Sequence, residues 1–226
     1  MIIYTVPYAG GNTSMYYELK KSLAERKISL INLELAGHGS RYCESLMDNI
    51  SDIAKDIYNQ LIMKNLEENF SLLGYSMGSI IIYEVYFMLK KNNYPLPCYM
   101  FLCACVTPEI MGSHKQKKVT DSEIVELLVS FDGTPKEVIT NQEMLNYIMP
   151  IVKADFSAIF NYVHLKKTMI EAKGIIVYSD NEISSIQEWN NYFEKECLYY
   201  YMEGGHFFIH NKSAELAQII WQNLKE

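Results

Sequence analysis

The feature that most constrains this chain is a five-residue segment, Gly74-Tyr75-Ser76-Met77-Gly78. An apolar run at 69–75 precedes it and stops at Ser76. Ile80, Ile81, Ile82 and Val85 follow, on what their spacing predicts as a buried helix. A strand that turns this sharply into a helix forces the serine to the tip, with its hydroxyl exposed above the sheet. The flanking glycines keep Cβ atoms out of the crowded approach between strand and helix. The N–H of Met77, at the start of the new helix, is placed to donate to a developing oxyanion. The five-residue pattern alone would arise by chance in a chain of this length about 8% of the time. The strand before it and the helix after it therefore carry the weight.

The rest of the chain repeats this alternation. Strand-like runs fall at 1–7, 28–35, 69–75, 98–106, 173–179 and 197–202, with helical patterns at 14–26, 47–65, 77–92, 184–196 and 211–225 between or after them. Strands separated by helices predict a mostly parallel central sheet flanked by helices. With the serine turn, this is the arrangement of the α/β-hydrolase fold, the expected fold class. From 108 to 166 no good strand appears. Asp121 is placed to cap a helix carrying Ile124, Leu127 and Leu128 on one face. Gly133-Thr134-Pro135 breaks the chain, and Pro150 sits in or ahead of a further helix. The expected organisation is a core of 1–107 and 167–226 with a small helical lid insertion at 108–166.

Composition excludes several classes. The chain has 226 residues, enough for one domain with a sizeable core. A net charge of −7 argues against non-specific nucleic-acid binding and against an electrostatic grip on anionic membranes. The N-terminus reads as a strand, not a signal peptide, and no apolar run is long enough to span a bilayer. A cytoplasmic setting is expected. The five cysteines are odd in number and show no paired metal spacing, so they read as small buried hydrophobes, with no metal site expected. Cys103 and Cys105, two apart in a strand-like run, are expected on one face.

A nucleophilic serine needs a base, and the base needs an orienting acid. In this fold they follow in the order serine, acid, histidine. Of five histidines, His206 and His210 alone follow the last strand. His206 lies in Gly204-Gly205-His206-Phe207-Phe208, where glycines allow a tight loop and phenylalanines can anchor it, so His206 is the expected base. His210 reads as a surface or helix-start residue, and His38 as a residue shaping a loop near the site. The acid should follow the fifth strand. Asp180 stands directly after Ile175-Ile176-Val177-Tyr178-Ser179 and is the expected acid; Glu182, two residues on, is the rival. The second oxyanion donor should come from Pro7-Tyr8-Ala9-Gly10-Gly11-Asn12, with Ala9 as donor and Met77 as its partner.

These segments, with Leu35-Ala36-Gly37-His38-Gly39-Ser40-Arg41, resemble in order the type II thioesterases, the free-standing editing enzymes of nonribosomal peptide and polyketide synthases. Gly133-Thr134-Pro135-Lys136-Glu137-Val138 and Pro150-Ile151-Val152-Lys153-Ala154-Asp155-Phe156 resemble that family's lid. Ala36 stands where the family usually has proline, and His38 where it often has arginine. The resemblance implies hydrolysis of aberrant or stalled acyl thioesters on phosphopantetheinyl carrier proteins. It implies catalytic Ser76, Asp180 and His206, oxyanion donors Ala9 and Met77, and no cofactor beyond the substrate's phosphopantetheine arm. The implied partners are acyl or peptidyl carrier domains, engaged by a monomer. Lys115, Lys117 and Lys118 are one candidate docking patch, although a solvated loop is the plainer reading. Met144, Ile148, Phe156 and Phe160 are candidates to line the acyl channel. The competing readings are an acyl-CoA or fatty-acyl thioesterase, a small-molecule carboxylesterase, a chain-releasing cyclase domain, and a catalytically silent synthase-binding protein.

Overall fold

A computed structural model describes residues 1–66, 69–113, 120–130 and 136–225. Six strands form one sheet: β1 (Ile2–Val6), β2 (Ser29–Asn32), β3 (Phe70–Tyr75), β4 (Tyr99–Cys103), β5 (Lys173–Tyr178) and β6 (Leu198–Tyr201). Their spatial order is β2-β1-β3-β4-β5-β6, and every pairing is parallel. The chain runs from β1 outward to β2 and then returns to the other side of β1 as β3. The sheet order therefore reverses between β1 and β3. In open parallel sheets the strands' carboxyl ends at such a reversal form the ligand crevice.

Helices cover both faces. α1 (Tyr17–Ala24) and α8 (Ile209–Leu224) pack Leu19, Leu23, Leu216 and Ile220 on one side, against Ile3, Leu73, Phe101 and Val177. α2 (Ile50–Ile62) and α3 (Met77–Lys91) pack Ile53, Ile57, Ile81 and Val85 on the other, against Tyr4, Leu72, Met100 and Ile176. Alternation along each strand supplies both layers. Between β3 and its neighbours no position is exposed, as a central parallel strand requires. The segment predicted as a helix at 184–196 forms a 3₁₀ stretch, Ile186–Tyr192, anchored by fully buried Trp189.

Between β4 and β5 lie α4 (Pro108–Gly112), α5 (Asp121–Ser130), α6 (Lys136–Thr140) and α7 (Gln142–Phe160), with no strand among the described residues. Pro150 falls inside α7. α5 starts differently from the expectation. Thr120, not Asp121, takes the capping place: its N–H and hydroxyl donate to Glu123, and Glu123 N–H returns to Thr120 Oγ1. Thr120-Asp121-Ser122-Glu123 is a capping box, a pattern present in the sequence. Asp121 instead pairs with Lys153 across to α7 at 2.5 Å. Gly133-Thr134-Pro135, His114 and the lysines at 115, 117 and 118 lie outside the described residues.

The cysteine expectation also changes. Cys103 and Cys105 are both buried, but they enter the cores on opposite faces of the sheet. The strand ends at Cys103, and Ala104 takes a left-handed conformation (φ 49°), which breaks the alternation.

The approach of α3 to β1 is set by glycine. A Cβ at Gly78 would lie 2.2 Å from the Val6 carbonyl oxygen, and one at Gly74 would lie 2.4 Å from the Gly78 carbonyl oxygen. Gly78→Ala must push α3 off the end of β1. The expected cost is about 2–3 kcal/mol, seen as a melting temperature lower by about 4–12 °C. A melting temperature unchanged from the parent would show that this contact is not tight.

Candidate active site

Ser76 follows β3 directly and adopts φ 52°, ψ −116°, a conformation that costs a non-glycine residue energy. Its N–H donates to the Cys103 carbonyl at 2.8 Å, tying the turn to β4. Ser79 Oγ donates to the Gly74 carbonyl at 2.8 Å and braces the turn from inside. The strain is thus held by surrounding backbone, and the Ser76 hydroxyl points into a cavity.

His206 sits in a tight loop after β6, where Gly204 and Gly205 have φ of 116° and 66°. Phe208 below it is fully buried. The Tyr75 hydroxyl donates to the His206 carbonyl at 2.7 Å, so the residue before the serine also holds the histidine loop. His206 Nε2 lies 2.9 Å from Ser76 Oγ. His206 Nδ1 lies 2.9 Å from Glu182 Oε1. The carboxylate can only accept at Nδ1, so that nitrogen carries the proton and Nε2 accepts from the serine.

The acid is where sequence and structure part. Asp180, the expected partner, does not reach His206. It accepts from the Tyr201 hydroxyl at 2.9 Å on the exposed side. β5 ends at Tyr178, and the chain then makes a turn in which Glu182 N–H donates to the Ser179 carbonyl at 3.2 Å. That turn points Asp180 outward and folds Glu182 back to the sheet end. Glu182 is 3% exposed. Its Oε2 accepts from the Ser179 N–H at 2.9 Å and the Ser179 hydroxyl at 2.8 Å. Burial pushes this carboxyl up, but the hydrogen bonds from His206 and Ser179 and the histidine's charge outweigh it, so its pKa is held below the ordinary value. With a lowered folded pKa, the stability it contributes is present above the unfolded value and is lost as pH falls through the folded one.

The two expected oxyanion donors lie on the residue after Ser76 and in the loop after β1. Met77 is the first residue of α3, so its N–H has no intrahelical partner. In the loop after β1, Gly11 N–H closes a turn onto the Tyr8 carbonyl at 3.0 Å, and Gly10 N–H goes to Asp155 at 2.6 Å. The Ala9 N–H enters neither bond, and Ala9 lines the cavity with Ser76 and His206. The cavity holds about 310 Å³. Beyond the polar end its wall is apolar: Cys105, Val106, Met111, Leu127, Phe156, Ile159 and Phe160. Three of these come from α7 and one from α5. Of the predicted channel residues, Phe156 and Phe160 are there, stacked at 6.1 Å. Met144 is half exposed, and Ile148 packs within the helical insertion instead.

His38 is buried in the loop after β2 and bonds to Asp155. His210 is exposed at the start of α8, where its Nε2 lies 3.0 Å from the Tyr8 hydroxyl. Sequence reasoning did not anticipate Ser179, Tyr75 or Asp155. Asp155 carried a signal: it is the one acid in the apolar second half of α7, three residues from Val152 and four from Ile159. Among the described residues, no group of three or more histidine, cysteine or acidic side chains is placed to hold a metal ion.

A serine at a strained strand-to-helix turn, a histidine after the last strand and a buried carboxylate behind it, on a parallel sheet covered by helices, define a hydrolase of the α/β-hydrolase type. The chain belongs to the thioesterase domain family, whose model matches residues 1–224. It is 25% identical to the gramicidin S biosynthesis protein GrsT of Aneurinibacillus migulanus, over 99% of this chain and 88% of that one. It is also 25% identical to the medium-chain S-acyl fatty acid synthase thioesterase of Homo sapiens, over 92% of this chain and 81% of that one. In fold it is similar to RedJ, a thioesterase from the prodiginine biosynthetic pathway in Streptomyces coelicolor. The TM-score is 0.90 at 20% identity, covering 98% of this chain and 84% of that one.

Exchanging the two acids separates their roles. Glu182→Gln puts an amide against Nδ1 and is expected to lower kcat by about 10³–10⁴-fold, as loss of the orienting carboxylate does in serine proteases. Asp180→Asn should stay within about twofold of the parent, as surface substitutions do. Steady-state hydrolysis of a p-nitrophenyl ester reads both, and the opposite ranking would restore Asp180 as the acid.

Proposed function

We propose that this chain is a type II, editing thioesterase that removes aberrant or stalled acyl groups from phosphopantetheinyl carrier domains of a peptide or polyketide synthase. The observation that carries the chemistry is the hydrogen-bonded series Ser76–His206–Glu182 opening onto an apolar cavity. The similarity to proteins of gramicidin S and prodiginine biosynthesis supports the choice of carrier-bound substrates.

In this reading Ser76 Oγ attacks the thioester carbonyl while Nε2 of His206 takes its proton. Glu182 holds the imidazole and stabilises its positive charge. The N–H groups of Ala9 and Met77 take the oxyanion. His206 then returns the proton to the departing phosphopantetheine thiol, leaving an acyl-serine. A water, deprotonated by His206, attacks that ester; the carboxylic acid leaves and Ser76 regains its proton. No cofactor is consumed. The insertion at 108–166 acts as the lid over the acyl group. Partners are carrier domains. Among the described residues no helix is long and apolar enough to cross a membrane, and a cytoplasmic enzyme fits that.

A second reading is a fatty-acyl thioesterase. The apolar acyl wall favours it, because among the described residues no charged side chain lines the cavity beyond Glu182 and His206.

Intact-protein mass spectrometry tests both. An acyl carrier protein incubated with the enzyme should lose its acyl mass, and Ser76→Ala should slow this by at least about 10⁴-fold. Turnover of the same acyl group should be faster on the carrier than on coenzyme A. A preference for coenzyme A would favour the second reading, and undiminished deacylation by Ser76→Ala would sink the mechanism.

A further inference from the structure

A second buried acid–histidine pair lies beside the first. Asp155, on α7, is 1% exposed, and His38 is 3% exposed. Asp155 Oδ2 is 2.9 Å from His38 Nε2 and accepts from the Gly10 N–H at 2.6 Å. His38 Nδ1 lies 2.9 Å from the Ala36 carbonyl. Both partners of the ring are acceptors, a carbonyl and a carboxylate, so both ring nitrogens must donate. His38 is an imidazolium, and with Asp155 it forms a buried ion pair.

The pair acts on the oxyanion loop. The Gly11-to-Tyr8 hydrogen bond closes a four-residue turn with Gly10 in its third place at φ 74°. A positive φ there is the mark of a type II turn, and the orientation of the central peptide is what distinguishes type II from type I. That central peptide joins Ala9 to Gly10, and its N–H is the group Asp155 holds. The same helix face also touches Gly10 through Val152: a Cβ on Gly10 would lie 3.0 Å from Val152 Cγ2. Asp155 Oδ1 has no hydrogen-bond partner among the described residues. The carboxylate's charge is therefore committed to the loop and to His38.

We propose that Asp155 is a positioning residue that fixes the Ala9–Gly10 peptide, so that the oxyanion loop takes its working shape only when α7 is seated, with His38 supplying the neutralising charge. The lid helix and the oxyanion donor are then one unit: a lid that lifts takes the loop's anchor with it. This rests on the reading of Ser76 as nucleophile and Ala9 as donor.

The charges facing His38 are Asp155 from α7 and Glu34 from the segment after β2. Glu34 is itself held by the Thr13 N–H and hydroxyl. Burial pushes the His38 pKa down, but the hydrogen bond and charge of Asp155, the Ala36 carbonyl and Glu34 raise it above its ordinary value of 6.5. A raised folded pKa means the pair's contribution is complete below the ordinary value and is lost as pH rises through the folded one. Deprotonation would remove the neutralising charge and leave one ring nitrogen, Nδ1 against the Ala36 carbonyl or Nε2 against Asp155, with nothing to donate.

The test is steady-state hydrolysis of p-nitrophenyl butyrate across pH, with thermal melting of every variant. Asp155→Ala should lower kcat by about 30–100-fold with KM within about threefold, somewhat less than loss of a whole oxyanion donor. Asp155→Asn, whose amide oxygen still accepts from Gly10, should recover most of that loss. The parent should lose kcat on the alkaline side, and His38→Gln, which donates at every pH, should not. A folded Asp155→Ala with kcat within threefold of the parent overturns the proposal. If Asp155→Ala does not fold, the other two variants decide. An alkaline limb unchanged in His38→Gln, or a folded Asp155→Asn with kcat about 30–100-fold below the parent, then overturns it. Ser76→Ala in the same assay separates this from the underlying mechanism: residual turnover there would remove the nucleophile, whereas the Asp155 effects require it to be working.

Discussion

Everything at this site depends on the close approach of α3 to β1. Gly78 lets the helix start against the Val6 carbonyl, and Gly74 lets the strand pass under the helix's first turn. With those two contacts made, Ser76 is held at a strained positive φ, and the energy is supplied by the structure around it. The same approach brings the loop after β1 to the start of α3. Ala9 in that loop thereby lines the same cavity as Ser76. The reversal of strand order between β1 and β3 puts this place at the sheet's crevice.

The chain contains two buried acid–histidine pairs with opposite consequences. In each, the carboxylate accepts from one ring nitrogen and from a backbone N–H: Ser179 N–H for Glu182, Gly10 N–H for Asp155. The difference is the second nitrogen. His206 presents it to a hydroxyl, which can donate, so the ring can stay neutral and accept a proton. His38 presents it to a carbonyl, which cannot donate, so the ring must be charged. One histidine is left able to change its protonation state during a reaction; the other is held in an ion pair until the pH rises through its raised pKa. Buried pairs of this second kind are costly to desolvate and are weak evidence for stability. Their consequence here is geometric, a fixed distance between α7 and the first loop.

What was legible in the sequence was whatever regular periodicity controls. The six strands, the helices on both faces, the helical insertion and the serine turn all follow from alternation, glycine placement and apolar spacing. Ser76 and His206 follow from the order imposed by the fold. The choice between Asp180 and Glu182 is not legible, because strand periodicity stops at Tyr178. Beyond it, which of two acids two residues apart turns inward is decided by the Ser179–Glu182 turn and by Tyr201 on the next strand, neither of which strand spacing encodes. Cys105 went to the wrong face for the same reason, since Ala104 leaves the extended region one residue after β4 ends. Asp155 was visible as an acid on an apolar helix face. Its partner is 117 residues away, and only the packed chain brings His38 to it.

The insertion itself divides into two parts by what it touches. The second half of α7 carries Val152, Asp155, Phe156, Ile159 and Phe160, which meet the first loop or wall the cavity. The first half carries Met144, half exposed, and Tyr147, largely exposed. Pro150 stands between the halves, where a residue without an N–H removes one helical hydrogen bond. The side of α7 that must keep a fixed distance to the reacting atoms is anchored by charge, by a backbone hydrogen bond and by packing. The other side is packed within the insertion, where Ile148 and Met149 join Ile124 and Leu128. The contacts that α7 makes with the loop after β1, those of Val152 and Asp155 with Gly10, all lie beyond the proline.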